Sequence, residues 1–103
     1  MSRYRVDFDS LPWRSPMGGV RCKVSRHNDR QLRLVEYTTA MDEHWCDKGH
    51  AGCVLDGRLE VKFADEVVVF GPGDGIFIPT GSDHRHMARV LTDVVRVMFV
   101  EDA

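Results

Sequence analysis

The chain reads as all-β, a small barrel of short strands closed around an interior site. Short apolar runs recur about every 8–12 residues between turn signals, the spacing of a sandwich or barrel. No window of helical length carries an i, i+3, i+4 apolar stripe free of turn signals. Two polar clusters, His44-Trp45-Cys46-Asp47-Lys48-Gly49-His50 and the stretch from Gly73 to His84, fall on separate strands. They converge only if the sheet closes on itself.

The elements follow in order. Residues 3–9 alternate, with Tyr4, Val6 and Phe8 on one face. Residues 10–19 hold Ser10, Pro12, Pro16, Gly18 and Gly19 and read as a loop. Residues 20–25 form the next strand, and Asn28-Asp29 turns the chain into residues 31–40, where Leu32 and Leu34 share a face. Asp56-Gly57 is a two-residue hairpin signal between residues 51–55 and 58–64. Leu59, Val61 and Phe63 alternate there with Glu60 and Lys62. Residues 67–70 end at Gly71-Pro72-Gly73, and residues 76–78 end at Pro79. Residues 86–91 and 94–100 flank a Thr92-Asp93 turn. The total is eight or nine strands. The first residues either join this sheet or pair with the sheet edge of a second chain.

A chain of 103 residues makes one domain. Its net charge of −2 comes from interspersed signs with no basic stripe, so nucleic acid is not an expected partner. Val67-Val68-Val69-Phe70 is among the longest plain apolar runs and is too short to span a bilayer, and the first ten residues have no signal-peptide core. A cytoplasmic location is expected. Three cysteines, Cys22, Cys46 and Cys53, argue against a disulfide framework. Cys22 and Cys53 read as small buried hydrophobes, and oxidation would let Cys46 pair with Cys53.

The spacing Gly73, Pro79, Gly81, His84 is G-x5-P-x-G-x2-H. Upstream, His44, Cys46, His50 and Gly57 stand at a second set of fixed intervals. In both, the chain resembles the cupin superfamily, and the Trp45-Cys46 to His50 stretch resembles short bacterial cupins. The second cupin motif is matched except at its last position, where Ala88 replaces Asn. The first is matched in spacing, with Cys46 for its second His, His50 for its Glu, and Tyr37 or Thr38 near its leading Gly. The resemblance covers residues 31–100. It implies a jelly roll, or double-stranded β-helix, in which residues 31–100 form the barrel and residues 1–30 supply N-terminal strands and a loop. It also implies a homodimer.

Residues two apart on a strand face one way, so His44 and Cys46 share a face and Trp45 opposes them. His84 and His86 likewise share a face on another strand. The family register turns His50 inward. Imidazoles and a thiolate form a donor set for a divalent transition metal: zinc, iron, nickel or copper. The expected ligands are His44, Cys46, His50 and His84. His86 is a partner orienting a ligand, or a pocket wall. Gly52 either leaves room for a ligand or allows a close backbone approach. A carboxylate is missing from the set, with Glu36 and Glu43 the nearest in sequence. Lys48 and Arg58 read as solvent-facing charges, Arg85 as pointing out, and His27 as a solvated surface residue.

Three functions fit this pattern. One is a metal-dependent cupin enzyme acting on a small molecule in the barrel, of the dioxygenase, isomerase or lyase kind. Another is a non-catalytic module that holds a metal or small ligand. The third is a structural dimer with a degenerate site. No serine–histidine–acid pattern or paired-carboxylate spacing competes with them.

Overall fold

Nine strands pair antiparallel in two sheets in the computed structural model, which describes residues 2–103. They are β1 (Arg14–Met17), β2 (Val20–His27), β3 (Arg30–Thr38), β4 (His50–Asp56), β5 (Leu59–Lys62), β6 (Val67–Phe70), β7 (Gly75–Ile78), β8 (Met87–Val90) and β9 (Val94–Asp102). The larger sheet runs β1-β2-β3-β9-β4-β7 and the smaller β6-β5-β8. No α-helix occurs among the described residues. An isolated antiparallel bridge between Cys46 and His86 extends the small sheet on its β8 side.

The alternation of side chains selects the core. In β9, Val95, Val97, Phe99 and Glu101 are buried while their neighbours are more exposed. Val35, Cys22 and Val20 line up with them across β3 and β2. Leu59, Val61, Ile76, Ile78 and Val54 close the core from the other strands. The opposite face of the large sheet is polar around β2, β3 and β9. There Glu36 lies between Arg21 and Arg96 at 2.7 and 2.6 Å. Burial pushes the Glu36 carboxyl up, but hydrogen bonds and charge from these two guanidiniums outweigh it and hold it below the usual carboxylate range. Glu36 is therefore committed to the outer face and is remote from the interior donors.

Several sequence expectations change. Residues 3–9 form no strand; Phe8–Ser10 is a 3-10 turn. The Phe8 carbonyl accepts a hydrogen bond from Lys23 Nζ at 2.7 Å, and Trp13 lies beneath Arg21 and Lys23. Within the expected loop of residues 10–19 sits β1, joined to β2 through Gly18-Gly19, with Gly19 at φ 76°. Pro16 is tolerated there because β1 is an edge strand. Asp56-Gly57 does not close a hairpin: β4 pairs with β7 and β9, whereas β5 pairs with β6 and β8. The turn instead carries the chain from one sheet to the other, as Thr92-Asp93 does between β8 and β9. These two corners lock together, Leu91 N–H donating to the Arg58 carbonyl and Arg58 N–H to Thr92 Oγ1. Asn28-Asp29 does close the β2–β3 hairpin, with Asn28 at φ 56°. Cys53 is exposed rather than buried, and all three cysteines are free thiols.

Candidate metal centre

Cys46 and His86 oppose each other across two reciprocal backbone hydrogen bonds, each 2.8 Å. Directly opposed residues project to one side of a sheet, here inward. His50 begins β4 and enters from the large sheet. One donor atom from each of Cys46, His50 and His86 lies within 4.8 Å of the others. The His50 ring is 5.3 Å from His86 edge-on and stacks on Phe99 at 4.7 Å.

The surroundings of the pair orient its ring nitrogens. His86 is 5% exposed, and its Nδ1 lies 3.0 Å from the His84 carbonyl. A carbonyl only accepts, so Nδ1 donates to it and Nε2 is the ring nitrogen left for another partner. Nε2 of His86 and Nδ1 of His50 are both buried without a hydrogen-bond partner. Burial, followed by the nearby His86, pulls the His50 pKa down to about 4, so its imidazole is neutral near pH 7. A cysteine sulfur and two imidazoles are a suitable donor set for zinc, copper or iron.

The cavity beside the trio has a volume of about 240 Å³. Val20, Leu59, Val61, Ile76, Ile78 and Phe99 make much of its wall, and His44, Cys46, His50 and His86 all reach it. Tyr37 lines it as well, its phenol pushed up to about 12 by burial and therefore protonated. Arg33 stands at one side, paired with Glu101 through Nε to Oε1 and through Nη2 to Oε2 at 3.2 Å. Gln31 donates to the same carboxylate at 2.8 Å. Burial pushes the Glu101 carboxyl up, but these hydrogen bonds and the charges of Arg33 and Lys48 hold it below its usual range.

The residues singled out in the sequence divide. Cys46 and His50 converge. His44 lines the same cavity but is exposed and outside the convergent trio, its Nδ1 3.1 Å from the Asp42 carbonyl. His84 is not brought to the trio. Ser82–His84 is a 3-10 turn entered from Gly81 at φ 139°, so the strand alternation that would pair its face with His86 begins only after it. Its side chain lines an outer groove with Phe63, Phe70 and Phe77, and only its carbonyl serves the site. His86, expected as an orienting partner or wall, is itself one of the convergent donors. The signal for it was parity with Ala88 and Val90, which also face inward. Gly52 opens no space: a Cβ there would lie 1.9 Å from the Met98 carbonyl oxygen, so its role is close backbone approach. Trp45 and Arg85 point out and stack on each other at 5.0 Å.

The Cupin domain family model matches residues 32–101. The chain belongs to the cupin family. No curated protein matches it. Among solved structures, this cupin is similar to KdgF from Halomonas sp., with TM-score 0.74 and 21% identity over 91% of this chain and 89% of that one. It is similar also to a protein of unknown function from Rhizobium leguminosarum bv. viciae, with TM-score 0.77 and 17% identity over 97% and 96% of the two chains. An RmlC-like cupin from Shewanella frigidimarina gives TM-score 0.71 and 16% identity over 96% and 91%. At these identities the likeness is one of fold. Inside this cupin the convergent donors are a Cys/His/His trio with no carboxylate among its members. No helix among the described residues is long and apolar enough to cross a membrane.

Proposed function

We propose that this cupin holds one divalent transition metal (zinc, iron, nickel or copper) through Cys46, His50 and His86, with His44 at the rim as a fourth donor, and binds a small molecule beside it. The observation that carries this reading is the pair of buried, unpartnered imidazole nitrogens in the trio. Each such atom costs about 1–3 kcal/mol if nothing meets it, and a ligated cation meets both. Bound there, the metal supplies Lewis-acid polarisation of a ligand oxygen and, at an open position, activation of water. The chain's own residues prepare the site. The His84 carbonyl fixes the tautomer and orientation of His86. Burial keeps His50 neutral, and apolar side chains make much of the wall beside it. Free thiols suit the reducing cytoplasm, where we place the protein.

Elemental analysis after metal-replete expression should find about one transition metal per chain. Cobalt titration should give a thiolate charge-transfer band that Cys46→Ser removes. The Cys46→Ala/His86→Ala double variant should lose uptake with its far-ultraviolet circular dichroism unchanged, and His84→Ala should retain uptake. A wild-type protein that takes up no metal, or a double variant that takes it up fully, overturns the reading. Product formation or oxygen uptake over a substrate panel separates an enzyme from a binding module.

We further propose a second copy of this chain as partner. Leu32, Val100, Ala51 and Phe77 form an apolar row across the outer face of β3, β9, β4 and β7. It ends at edge strand β7 with Phe77 86% exposed.

A further inference from the structure

The charge around the cavity is one-sided. Arg33 and Lys48 line it, together with His44, His50 and His86, and no Asp or Glu is among its lining residues. Arg33 is already neutralised by the bidentate contact with Glu101. Lys48 forms no direct ion pair among the described residues, and Glu101, which feels its charge from further off, is itself taken up by Arg33. It stands in the short link between two of the convergent donors, Cys46 and His50, so its ammonium is carried at the edge of the same centre.

The backbone that carries Lys48 is held on both sides. The Asp47 carbonyl accepts the Gly81 N–H at 2.9 Å, and the Gly49 N–H donates to Thr80 Oγ1 at 2.8 Å. A Cβ at Gly49 would lie 2.5 Å from the Ile78 carbonyl oxygen, so the link is pressed against the end of β7. The Pro79-Thr80-Gly81 corner thus serves as the clamp for the Lys48 link. The rest of the wall is apolar, and its volume of about 240 Å³ suits a ligand of single-ring size.

We propose that the cavity takes a small organic monoanion, a carboxylate on a compact apolar body, with its charge set against Lys48. The inference rests on the reading of this cavity as the ligand site, and it names the class of ligand. A cationic ligand would face Lys48 with no carboxylate among the lining residues to receive it. A neutral one would gain nothing from the Lys48 charge at the cavity edge. A carboxylate answers Lys48 while its apolar body fills the space between Val61, Ile76 and Phe99.

Three isosteric probes test this: benzoate, benzamide and benzamidinium, titrated into ¹⁵N-labelled protein in metal-free and zinc-loaded forms and followed by amide chemical shifts. Benzoate should bind both forms about tenfold more tightly than benzamide, with shifts at Lys48, Val61 and Phe99, and benzamidinium should not compete. Lys48→Met, which keeps the stem and removes the charge, should lower benzoate affinity about tenfold and leave benzamide unaffected. Lys48→Arg should restore most of the loss. Benzoate that gives no saturable shift, or binds no better than benzamide, or binds Lys48→Met as it binds wild type, overturns the inference. Benzoate preference in a protein that takes up no zinc overturns only the metal assignment. Zinc uptake without that preference overturns only the anion assignment.

Discussion

His50 is the residue at which burial, charge and function meet. Its pKa falls from 6.5 to about 4 in the folded chain, chiefly through burial. Between these values the unfolded chain takes up the proton first, so stability is full above about pH 6.5 and is lost as pH falls toward about pH 4. The side chain keeps partial solvent contact, which screens the effect. Metal-free wild type should therefore lose about 1 kcal/mol of unfolding free energy between about pH 7 and about pH 5 that His50→Gln does not lose. Urea unfolding at the two pH values checks it, and parallel slopes for the two proteins would refute it. The same residue marks how much of the site was legible in the sequence. Motif spacing picked out Cys46 and His50, because spacing survives a change of donor type. It assigned His84 to the centre as the histidine of the second motif and left His86, which has no motif position, at its edge; the 3-10 turn at Ser82–His84 also cancels the strand parity that gave the two a common face. Lys48 read as a solvent-facing charge, and it is exposed; only the folded chain shows that it also borders the cavity.

At the scale of the element, β4 depends on a glycine that local preference disfavours. Gly52 faces the β9 backbone, and a methyl group there would meet the Met98 carbonyl at 1.9 Å. Backbone cannot turn aside as a flexible side chain can, so β4 and β9 must separate. Gly52→Ala should cost about 1–3 kcal/mol and displace His50, two residues away, with a loss of metal affinity. Gly18→Ala, where nothing lies within 4 Å of the added carbon, should be nearly neutral. Chemical denaturation compares the two, and equal stability would refute the close-approach role. Strand positions were readable from alternation because one face of each strand meets the core, as in Val95, Val97 and Phe99. Strand partners were not. Asp56-Gly57 has the chemistry of a hairpin turn, and Gly57 does take φ 81°, yet β4 and β5 separate into different sheets. Local turn chemistry sets a reversal of the chain, while packing of the two sheets decides which strands then pair. β1 escaped notice because Pro16 argues against a central strand and is harmless on an edge.

At the scale of the molecule, the two sheets enclose one face each and leave the outer face of the large sheet to be covered by other means. Around β2 the N-terminal segment does this, with the Trp13 ring against Arg21 and Lys23 and the Phe8 carbonyl on Lys23. Toward β7 no such cover exists among the described residues, and Phe77 stands 86% exposed beside Ala51 and Val100. An open edge strand with an aromatic on its outer face invites pairing. A two-fold arrangement would bury the row on both copies at once, since an isologous interface uses the same patch twice. Light scattering on the purified protein should accordingly give the mass of a dimer. Phe77→Lys should shift it to the monomer without altering the far-ultraviolet spectrum, because the side chain makes no part of the core. A wild-type monomer, or a Phe77→Lys dimer of undiminished affinity, would rule this face out. The donor trio lies between the two sheets of one chain, so monomeric Phe77→Lys should still take up about one metal per chain.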